Sequence, residues 1–194
     1  EAMIPFSREV SMVGARHRDG SIHCYPLVEN VHTQGILSYT LANLTAIPAH
    51  LQATAEAWFA KLTAHLGYVG TLAIEFFVVG EGDSATLLVN EVAPRVHNSG
   101  HWSMIGSNCS QFSLHMRSLT GALIPPLQNN PVLMLNVIGV AEIPATLWRD
   151  PSAQPFWYGK EARPGRKVGH VNVQVQDIEQ AKGYINTYTK ALHI

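Results

Sequence analysis

The sequence is short of charged residues, of cysteines and of long apolar runs, and each shortage excludes a class of protein. Charged residues make up 14% of the 194 residues, against roughly 25% in an average globular domain. The apolar share of 46% nevertheless excludes a disordered chain, because disordered chains are poor in apolar residues. The absence of any run of about 18 apolar residues excludes a membrane-spanning helix.

The charge balance and the cysteine content limit the partners and the compartment. Lys and Arg number 13 and Asp and Glu 14, whereas nucleic-acid-binding domains usually have a basic excess, so we expect no nucleic-acid partner. Cys24 and Cys109 cannot build a disulfide framework, which favours a reducing, cytoplasmic compartment. Neither lies in a CxxC pair, so we expect packed side chains rather than zinc ligands.

Hydrophobic periodicity predicts an α+β protein with a largely antiparallel sheet. Helices are predicted over 49–66, over 108–119 and after Asp177, which is placed to cap its helix. Strands are predicted where apolar residues alternate or run together: 8–16, 21–28, 70–79, 85–92, 132–138 and 168–175.

The finer expectations concern one helix face, one loop and one boundary. The stripe of the first helix is predicted to contain Leu51, Ala55, Trp58, Leu62 and Leu66. The segment 148–166, rich in Pro and Trp, is predicted to be a loop. Pro125-Pro126 breaks the chain, so we predict one domain over 1–124 and a small β-rich domain over 125–194.

Two acidic residues lie inside predicted strands of one hairpin, where acidic residues are usually depleted. If the register pairs Glu75 with Glu91, both carboxylates leave the same face, which they share with Phe77, Val79, Leu87 and Val89. Two carboxylates about 4 Å apart repel by roughly 4 kcal/mol at an effective dielectric near 20. A divalent cation such as Mg²⁺, bound between them, would replace this repulsion by attraction. A register shifted by one residue would separate the acids, and spacing alone does not decide.

Polar donors are concentrated immediately after this hairpin. Segment 94–102 leaves the strand end that carries Glu91, so its cation would lie near any bound metal. An Arg there can hold a carboxylate or phosphate oxyanion through two hydrogen bonds. The alternative is a polar loop around a buried Trp102. The donors are Arg95, His97, Asn98, Ser99 and His101.

The basic residues are concentrated in segment 159–167. Lys160, Arg163, Arg166 and Lys167 lie there among glycine and proline. Such a loop can clamp a phosphate group. The alternative is a solvated run of charge, and the sequence by itself slightly favours that alternative.

The string LVNEVAPRVHNSGHW over 88–102 resembles the signature of one family of the ATP-grasp superfamily, the ATP-dependent 5-(carboxyamino)imidazole ribonucleotide synthetases. Four shorter stretches resemble the same family in the same order, so that the resemblance runs through almost the whole chain. They are FSREVS over 6–11, YPLVENVH over 25–32, TLAIEFF over 71–77 and RPGRKVGHVN over 163–172.

The resemblance implies an ATP-dependent ligase of purine biosynthesis. Such enzymes use ATP, bicarbonate and 5-aminoimidazole ribonucleotide to make the N5-carboxyamino product, ADP and phosphate, by way of carboxyphosphate. The chain would be the second half of an ATP-grasp domain followed by a small C-terminal domain, lacking the first half of the protein, with a homodimer expected at full length. The alternatives are a formate-using transformylase of the same superfamily and a non-catalytic dimerisation module.

The resemblance also implies roles residue by residue. Glu75 and Glu91 would hold Mg²⁺. The residues expected to bind ATP are Glu1, Ala2, Met3 and Ile4 at adenine, Glu9 at the ribose, His32 near the nucleotide, and Asn90 and Glu91. The loop expected to hold bicarbonate and carboxyphosphate contains Arg95, His97 and Asn98. The residues expected to bind the ribonucleotide are Ser99, Lys160, Arg166 and Lys167.

Overall fold

The computed structural model describes residues 4–194, and its strands form one antiparallel sheet. The strand order is β6-β5-β1-β3-β4-β7-β9-β8, with β2 beside β1. The strands are β1 (Arg8–Arg16), β2 (Ile22–Cys24), β3 (Val28–Thr33), β4 (Ile36–Ala42), β5 (Gly70–Val79), β6 (Thr86–Ala93), β7 (Val132–Ile138), β8 (Ala153–Trp157) and β9 (Lys167–Gln174).

Within residues 4–194, five α-helices lie between and after these strands. Polar caps and a glycine set some of their ends. Ser110 accepts a hydrogen bond from the backbone N–H of Ser113 at the start of the third helix, which ends at Gly121 with φ 78°; glycine adopts this left-handed conformation without steric cost. The helices are α1 (Ala49–His65), α2 (Ser103–Gly106), α3 (Gln111–Thr120), α4 (Ala145–Arg149) and α5 (Ile178–Leu192).

The two faces of the sheet are covered differently. Helices α1 and α5 pack on the face that we call the back, over two apolar clusters that include Phe59 and Leu192. The opposite face, which we call the front, carries α3 and an apolar cluster around Trp102 and Leu114. Beyond that cluster the front face is polar, and this polar part carries the candidate site.

Most predicted strands are confirmed, and the differences fall in irregular segments. The return strand predicted over 21–28 is confirmed only at 22–24, and the strands over 28–33 and 36–42 lie almost wholly where no strand was predicted. The prediction of a loop over 148–166 is wrong, because β8 pairs with β9 there, Phe156 lying opposite His170. Alternation is weak in β8, so local pattern gave no strand signal and the pairing depends on its neighbour.

The predicted stripe of α1 is partly wrong. Leu51 and Ala55 are buried as predicted, but Phe59 lies in the core and Trp58 is 38% exposed. Leu66 is exposed beyond the end of the helix. Spacings of three and four are both compatible with a helix face, and packing against β1 and β5 selected the phase.

The sheet is continuous across the predicted boundary at residue 125. Strand β7 pairs with β4, so that Tyr39 lies opposite Leu135. The division into two domains, 1–124 and 125–194, stays a prediction, and the sheet runs across that boundary without a break. Over residues 4–194, the helices all fall short of the length and apolar character needed to cross a bilayer.

Candidate active site

The β5–β6 hairpin brings the two strand carboxylates together. Glu75 lies directly opposite Glu91 in the register. Opposite residues of an antiparallel pair have Cβ atoms about 4.5–5.5 Å apart and leave the same face. Of the two registers that the sequence left open, the structure has the one that pairs the acids.

A β-bulge in this hairpin shifts the residues that follow. Glu75 pairs with Glu91 but Phe76 pairs with Val89, which makes Asn90 the extra residue. The expectation that Leu87 and Val89 share the Glu75 face is therefore wrong. Leu87 packs in the back cluster beneath α1. Spacing alone could not reveal the bulge, because it changes the pairing without changing the residue pattern.

A second acid–base pair lies next to Glu75 on the front face. Glu9 of β1 lies opposite Phe77, two residues from Glu75 along β5. Its carboxylate contacts the Nδ1 atom of His32 of β3. On the opposite face of the sheet, Arg8 Nη1 lies 3.6 Å from Glu29 Oε2. The structure thus places Glu9, His32, Glu75 and Glu91 on adjoining strands.

The electrostatic environment of Glu75 favours its protonated form. Burial raises the pKa of the Glu75 carboxyl, and the charges of Glu91 and Glu9 raise it further, while His32 and Lys167 act in the opposite direction. The ionised carboxylate is therefore disfavoured mainly because it is partly removed from water, and its two acidic neighbours add to that cost. A cation bound between Glu75 and Glu91 would lower the cost.

Gln111 holds the loop that follows the hairpin. Its side-chain oxygen accepts from the backbone N–H of His97 at 2.9 Å, and its Nε2 donates to the His97 carbonyl at 2.7 Å and contacts His101 Nδ1 at 2.9 Å. A Cβ added at Gly100 would lie 2.6 Å from the Gln111 oxygen. Glycine at position 100 is therefore needed for this close approach.

The loop is also joined to the middle of the sheet. The Asn98 and Asn136 side-chain amides exchange two hydrogen bonds, at 2.9 and 2.7 Å. Asn136, a fully buried residue of β7, also donates to the carbonyl of Leu37 at 2.7 Å. These contacts fix Asn98 against strands that the hairpin does not touch.

His97 lies at the centre of the site and is neutral near neutral pH. Its Nε2 is 3.6 Å from Glu75 Oε1. Burial lowers the pKa of His97 to about 4, and the charges of Arg95, Lys167 and His32 add to that shift. Burial likewise lowers the pKa of His101 to about 4. Both imidazoles are thus uncharged groups among charged neighbours.

Two cations lie near His97. Lys167 begins β9, and burial lowers the pKa of its ammonium group while the charge of Glu75 raises it. Arg95 is exposed, and its Nη1 donates to the carbonyl of Val96 at 3.0 Å. Arg95 also acts electrostatically on both His97 and Lys167. The structure therefore places Lys167 near Glu75, and Arg95 near Lys167 and His97.

Lys160 and Arg166 belong to a different environment. Both are exposed on the connector between β8 and β9. The Lys160 ammonium lies 5.1 Å from the centre of the Tyr158 ring, and Arg166 Nη1 lies 3.5 Å from the Glu161 carbonyl oxygen. The Tyr158 hydroxyl is 2.6 Å from His170 Nδ1, which anchors the start of the connector to the sheet.

The remaining predicted residues divide into three cases. Ser99 is fully buried and its hydroxyl contacts Ser11 and His97, so the predicted role as a direct substrate contact does not fit it. Ile4 lies in the segment before β1. The predictions for Glu1, Ala2 and Met3 lie outside the described residues.

Sequence reasoning missed the buried polar residues that support the site. They are polar positions inside otherwise apolar strands or at a helix start, and this contrast is a signal that could have found them. They are Ser11, Asn30, Thr40, Asn136 and Gln111.

The donor set fits a hard cation that is completed by oxygens from elsewhere. Within residues 4–194, no cluster of three or more His, Cys, Asp or Glu side chains is arranged to hold a metal ion. Glu75 and Glu91 supply two carboxylates, and Asn90, the extra residue of the bulge, directly precedes Glu91. Mg²⁺ accepts such a partial set of oxygen ligands and keeps positions for water and phosphate.

Comparison with known proteins identifies the fold family. A family model described as the ATP-grasp domain matches residues 1–112. The chain belongs to the ATP-grasp family. A second model, the phosphoribosylaminoimidazole carboxylase C-terminal domain, matches residues 132–183.

Several relatives share one name. A curated N5-carboxyaminoimidazole ribonucleotide synthase from Vibrio parahaemolyticus is 49% identical over 178 residues, which are 89% of this chain and 44% of that protein. A crystal structure of the corresponding synthetase from Thermus thermophilus superposes with a TM-score of 0.89 at 41% identity and covers 98% of this chain and 52% of that one.

A third match contains ligands. The Aspergillus clavatus N5-carboxyaminoimidazole synthase, in complex with ADP and 5-aminoimidazole ribonucleotide, superposes with a TM-score of 0.84 at 28% identity. That match covers 97% of this chain and 52% of the fungal one. The chain thus spans about half the length of the relatives that it matches.

Proposed function

We propose that this chain is the C-terminal half of an ATP-dependent ligase that carboxylates 5-aminoimidazole ribonucleotide with bicarbonate. The products would be N5-carboxyaminoimidazole ribonucleotide, ADP and phosphate. The observation that carries the proposal is the pairing of Glu75 with Glu91 beside Arg95, His97 and Lys167. That geometry supports a metal–phosphate site, and the similarity to synthases of that name supports the choice of substrates.

The proposed chemistry activates bicarbonate before transfer. A bicarbonate oxygen attacks the γ-phosphorus of ATP, which forms carboxyphosphate and releases ADP. The exocyclic amine of the ribonucleotide then takes the carboxyl group, its N–H proton is lost and phosphate leaves. Phosphorylation is needed because bicarbonate by itself is a poor electrophile.

The carboxylates would hold Mg²⁺, with the Asn90 amide next to them. When bound, the ion would neutralise charge on the phosphates as the phosphoryl group moves. Glu9 and His32 are adjacent on the same face, which suits contacts to the nucleotide. Glu9 can accept hydrogen bonds from ribose hydroxyl groups.

Arg95 and Asn98 would bind bicarbonate and the carboxyphosphate. Arg95 offers a guanidinium that is free to form two parallel hydrogen bonds to an oxyanion. Asn98 is held by Asn136, so its position is fixed before substrate arrives. Such preorganisation is the main way in which a site stabilises charge that develops during reaction.

Lys167 would add positive charge on the side of the site that carries Arg95. Lys160 and Arg166 would clamp the 5′-phosphate of the ribonucleotide. Both side chains of the connector are exposed and can reach an incoming anion. We further propose a homodimer for the full-length protein and a cytoplasmic location, in keeping with a reducing compartment. Light scattering of the full-length protein would test the dimer.

The decisive experiment joins this chain to the first half of the Vibrio parahaemolyticus relative. We expect the chimaera to form ADP only when bicarbonate and 5-aminoimidazole ribonucleotide are both present. Replacement of bicarbonate by formate distinguishes a transformylase, since formyl transfer would then appear instead.

The isolated 194-residue chain is the matched control. It contains one half of the ATP cleft, so we expect its ATPase rate to be indistinguishable from background. Substantial turnover by this chain alone would contradict the proposed division of the site. An inactive chimaera that is folded and binds ATP would instead favour a non-catalytic module.

A further inference from the structure

The protonation state of His97 can be derived from the groups that face its Nδ1 atom. The backbone N–H of Ser99 points at this atom from 3.3 Å, and the Ser99 hydroxyl oxygen lies 2.9 Å away. A backbone N–H can only donate a hydrogen bond. Nδ1 therefore accepts, and it carries no proton.

A series of buried side-chain hydrogen bonds that ends at Ser99 also indicates that His97 Nδ1 accepts a hydrogen bond. Thr40 Oγ1 donates to Asn30 Oδ1, Asn30 Nδ2 donates to Ser11 Oγ, and Ser11 Oγ donates to Ser99 Oγ, each at 2.8 Å. These four residues are buried. Because the Ser99 oxygen already accepts from Ser11, its own proton is left for His97 Nδ1.

The opposite direction of donation is incompatible with the loop. If the Asn30 amide were reversed, Ser11 would donate to Asn30 and Ser99 would donate to Ser11. His97 Nδ1 would then have to donate to Ser99 while also facing the Ser99 backbone N–H. Two protons would point at each other, so only the first direction satisfies every group.

A neutral imidazole without a proton on Nδ1 carries it on Nε2, and Nε2 lies 3.6 Å from Glu75 Oε1. We propose that the hydrogen-bond series Thr40–Asn30–Ser11–Ser99 fixes His97 as the Nε2–H tautomer, so that His97 presents an N–H, and not a proton acceptor, to the Glu75 carboxylate. His97 is then a positioning residue that orients Glu75. This role rests on the proposed function, whereas the tautomer does not.

The tautomer is measured on the chain labelled with ¹⁵N-histidine, at neutral pH and without nucleotide. Long-range ¹H–¹⁵N spectra distinguish a protonated ring nitrogen from an unprotonated one by its chemical shift. A His97→Gln variant identifies the His97 signals. We expect an unprotonated Nδ1 and a protonated Nε2. The reverse pattern would overturn the proposal.

Two variants test whether the buried hydrogen-bond series sets the tautomer. Asn30→Asp replaces the donor to Ser11 by an acceptor, which leaves the Ser99 backbone N–H as the remaining donor to Nδ1 and should raise the population of the Nδ1–H tautomer. Ser99→Ala removes one of the two donors to Nδ1 and should give a mixture of tautomers, even if Asn30→Asp fails to fold. Ser38→Ala removes a buried hydroxyl of β4 that bonds Thr33 instead, and it should leave the His97 shifts unchanged.

If Ser99→Ala and Asn30→Asp both behave like Ser38→Ala, the buried hydrogen-bond series does not control the tautomer of His97 and the proposal is wrong. The positioning role has its own readout in the active chimaera. His97→Gln keeps an N–H donor near the position of Nε2, so it should retain at least about tenfold more kcat than His97→Ala. Equal losses would exclude the donor role. An inactive chimaera would count against the proposed function and leave the tautomer measurement valid.

Discussion

The acidic hairpin and the basic connector both concentrate charge, but the fold holds that charge in different ways. Glu75 and Glu91 are fixed by strand pairing on a face that also carries His97 and Lys167. Lys160 and Arg166 lie on an exposed connector, where the Arg163–Glu161 ion pair is also solvent-exposed. Exposed pairs of this kind contribute about 0–1 kcal/mol.

This difference shows where clustered charge can be interpreted from structure alone. A carboxylate held beside another carboxylate in a partly buried position has a cost that a ligand could offset. Exposed Lys and Arg side chains have no such cost, because water solvates them. The structure therefore supports a site at the hairpin more strongly than at the connector, where the solvated alternative stays open.

The largest expected effect is at the hairpin. Glu91→Gln in the chimaera should lower kcat/KM for carboxylation by about 100-fold, because removing one carboxylate of the proposed metal site forfeits a few kcal/mol of charge stabilisation. Glu81→Gln changes an exposed acid in the turn of the same hairpin and should leave the rate within about twofold. Steady-state assays of ADP formation measure both, and a Glu91→Gln rate near wild type would exclude the metal assignment.

The rigidity of the loop beside the hairpin gives the next effect. Gly100→Ala should lower the free energy of unfolding by about 1–3 kcal/mol, because the new methyl group would overlap the Gln111 side chain. Gly183→Ala is the matched control, since a Cβ there meets nothing within 4 Å. In helix α5 it should add about 0.5–1 kcal/mol. Urea unfolding measures both, and an unchanged Gly100→Ala variant would show that Gln111 does not clamp the loop.

The connector is tested by removing one exposed cation. Lys160→Met should raise the KM for 5-aminoimidazole ribonucleotide about tenfold with little change in kcat, because a charged hydrogen bond to phosphate contributes about 1.5–3 kcal/mol. Lys182→Met removes an equally exposed lysine of α5. If the two variants have the same KM, the charge at Lys160 is only solvated and the difference between the two regions becomes sharper.

The smallest effect concerns the anchor between the connector and the sheet. Burial lowers the pKa of His170 to about 3, below its ordinary value of 6.5. The folded state therefore resists protonation, so its stability is fully present above pH 6.5 and is lost as pH falls towards 3. Between pH 7 and pH 5.5 this loss is on the order of 1 kcal/mol.

His170→Phe keeps an aromatic ring beside Phe156 but cannot take up a proton. Its unfolding free energy should therefore fall less steeply with decreasing pH than that of the unmodified chain, whatever constant penalty the lost Tyr158 hydrogen bond adds. Thermal or urea unfolding at several pH values compares the slopes. Parallel slopes would mean that burial does not lower the pKa of His170 and that water solvates its imidazole.

Three strands and one helix cap could be predicted from the sequence because short stretches of residues specify them. The predicted strands 8–16, 70–79 and 132–138 coincide with β1, β5 and β7, since alternation or a continuous apolar run specifies a half-buried or buried strand. Asp177 caps α5 as predicted, its side chain accepting from the N–H of Gln180 at 2.8 Å. Strand β8 was missed because its pairing with β9 is not encoded in its own sequence.

The residue types of the candidate site were visible in the sequence, since acids within strands and donors in a loop contradict ordinary preferences. Pattern alone determined that Glu75, Glu91 and Arg95 were unusual, and it placed the hairpin that carries two of them. The tertiary structure decided that the acids face each other, that Asn90 forms a bulge, and that Ser99 supports His97 from within the core. Such facts depend on register and on contacts between residues far apart in the chain, and neither is fixed by local periodicity.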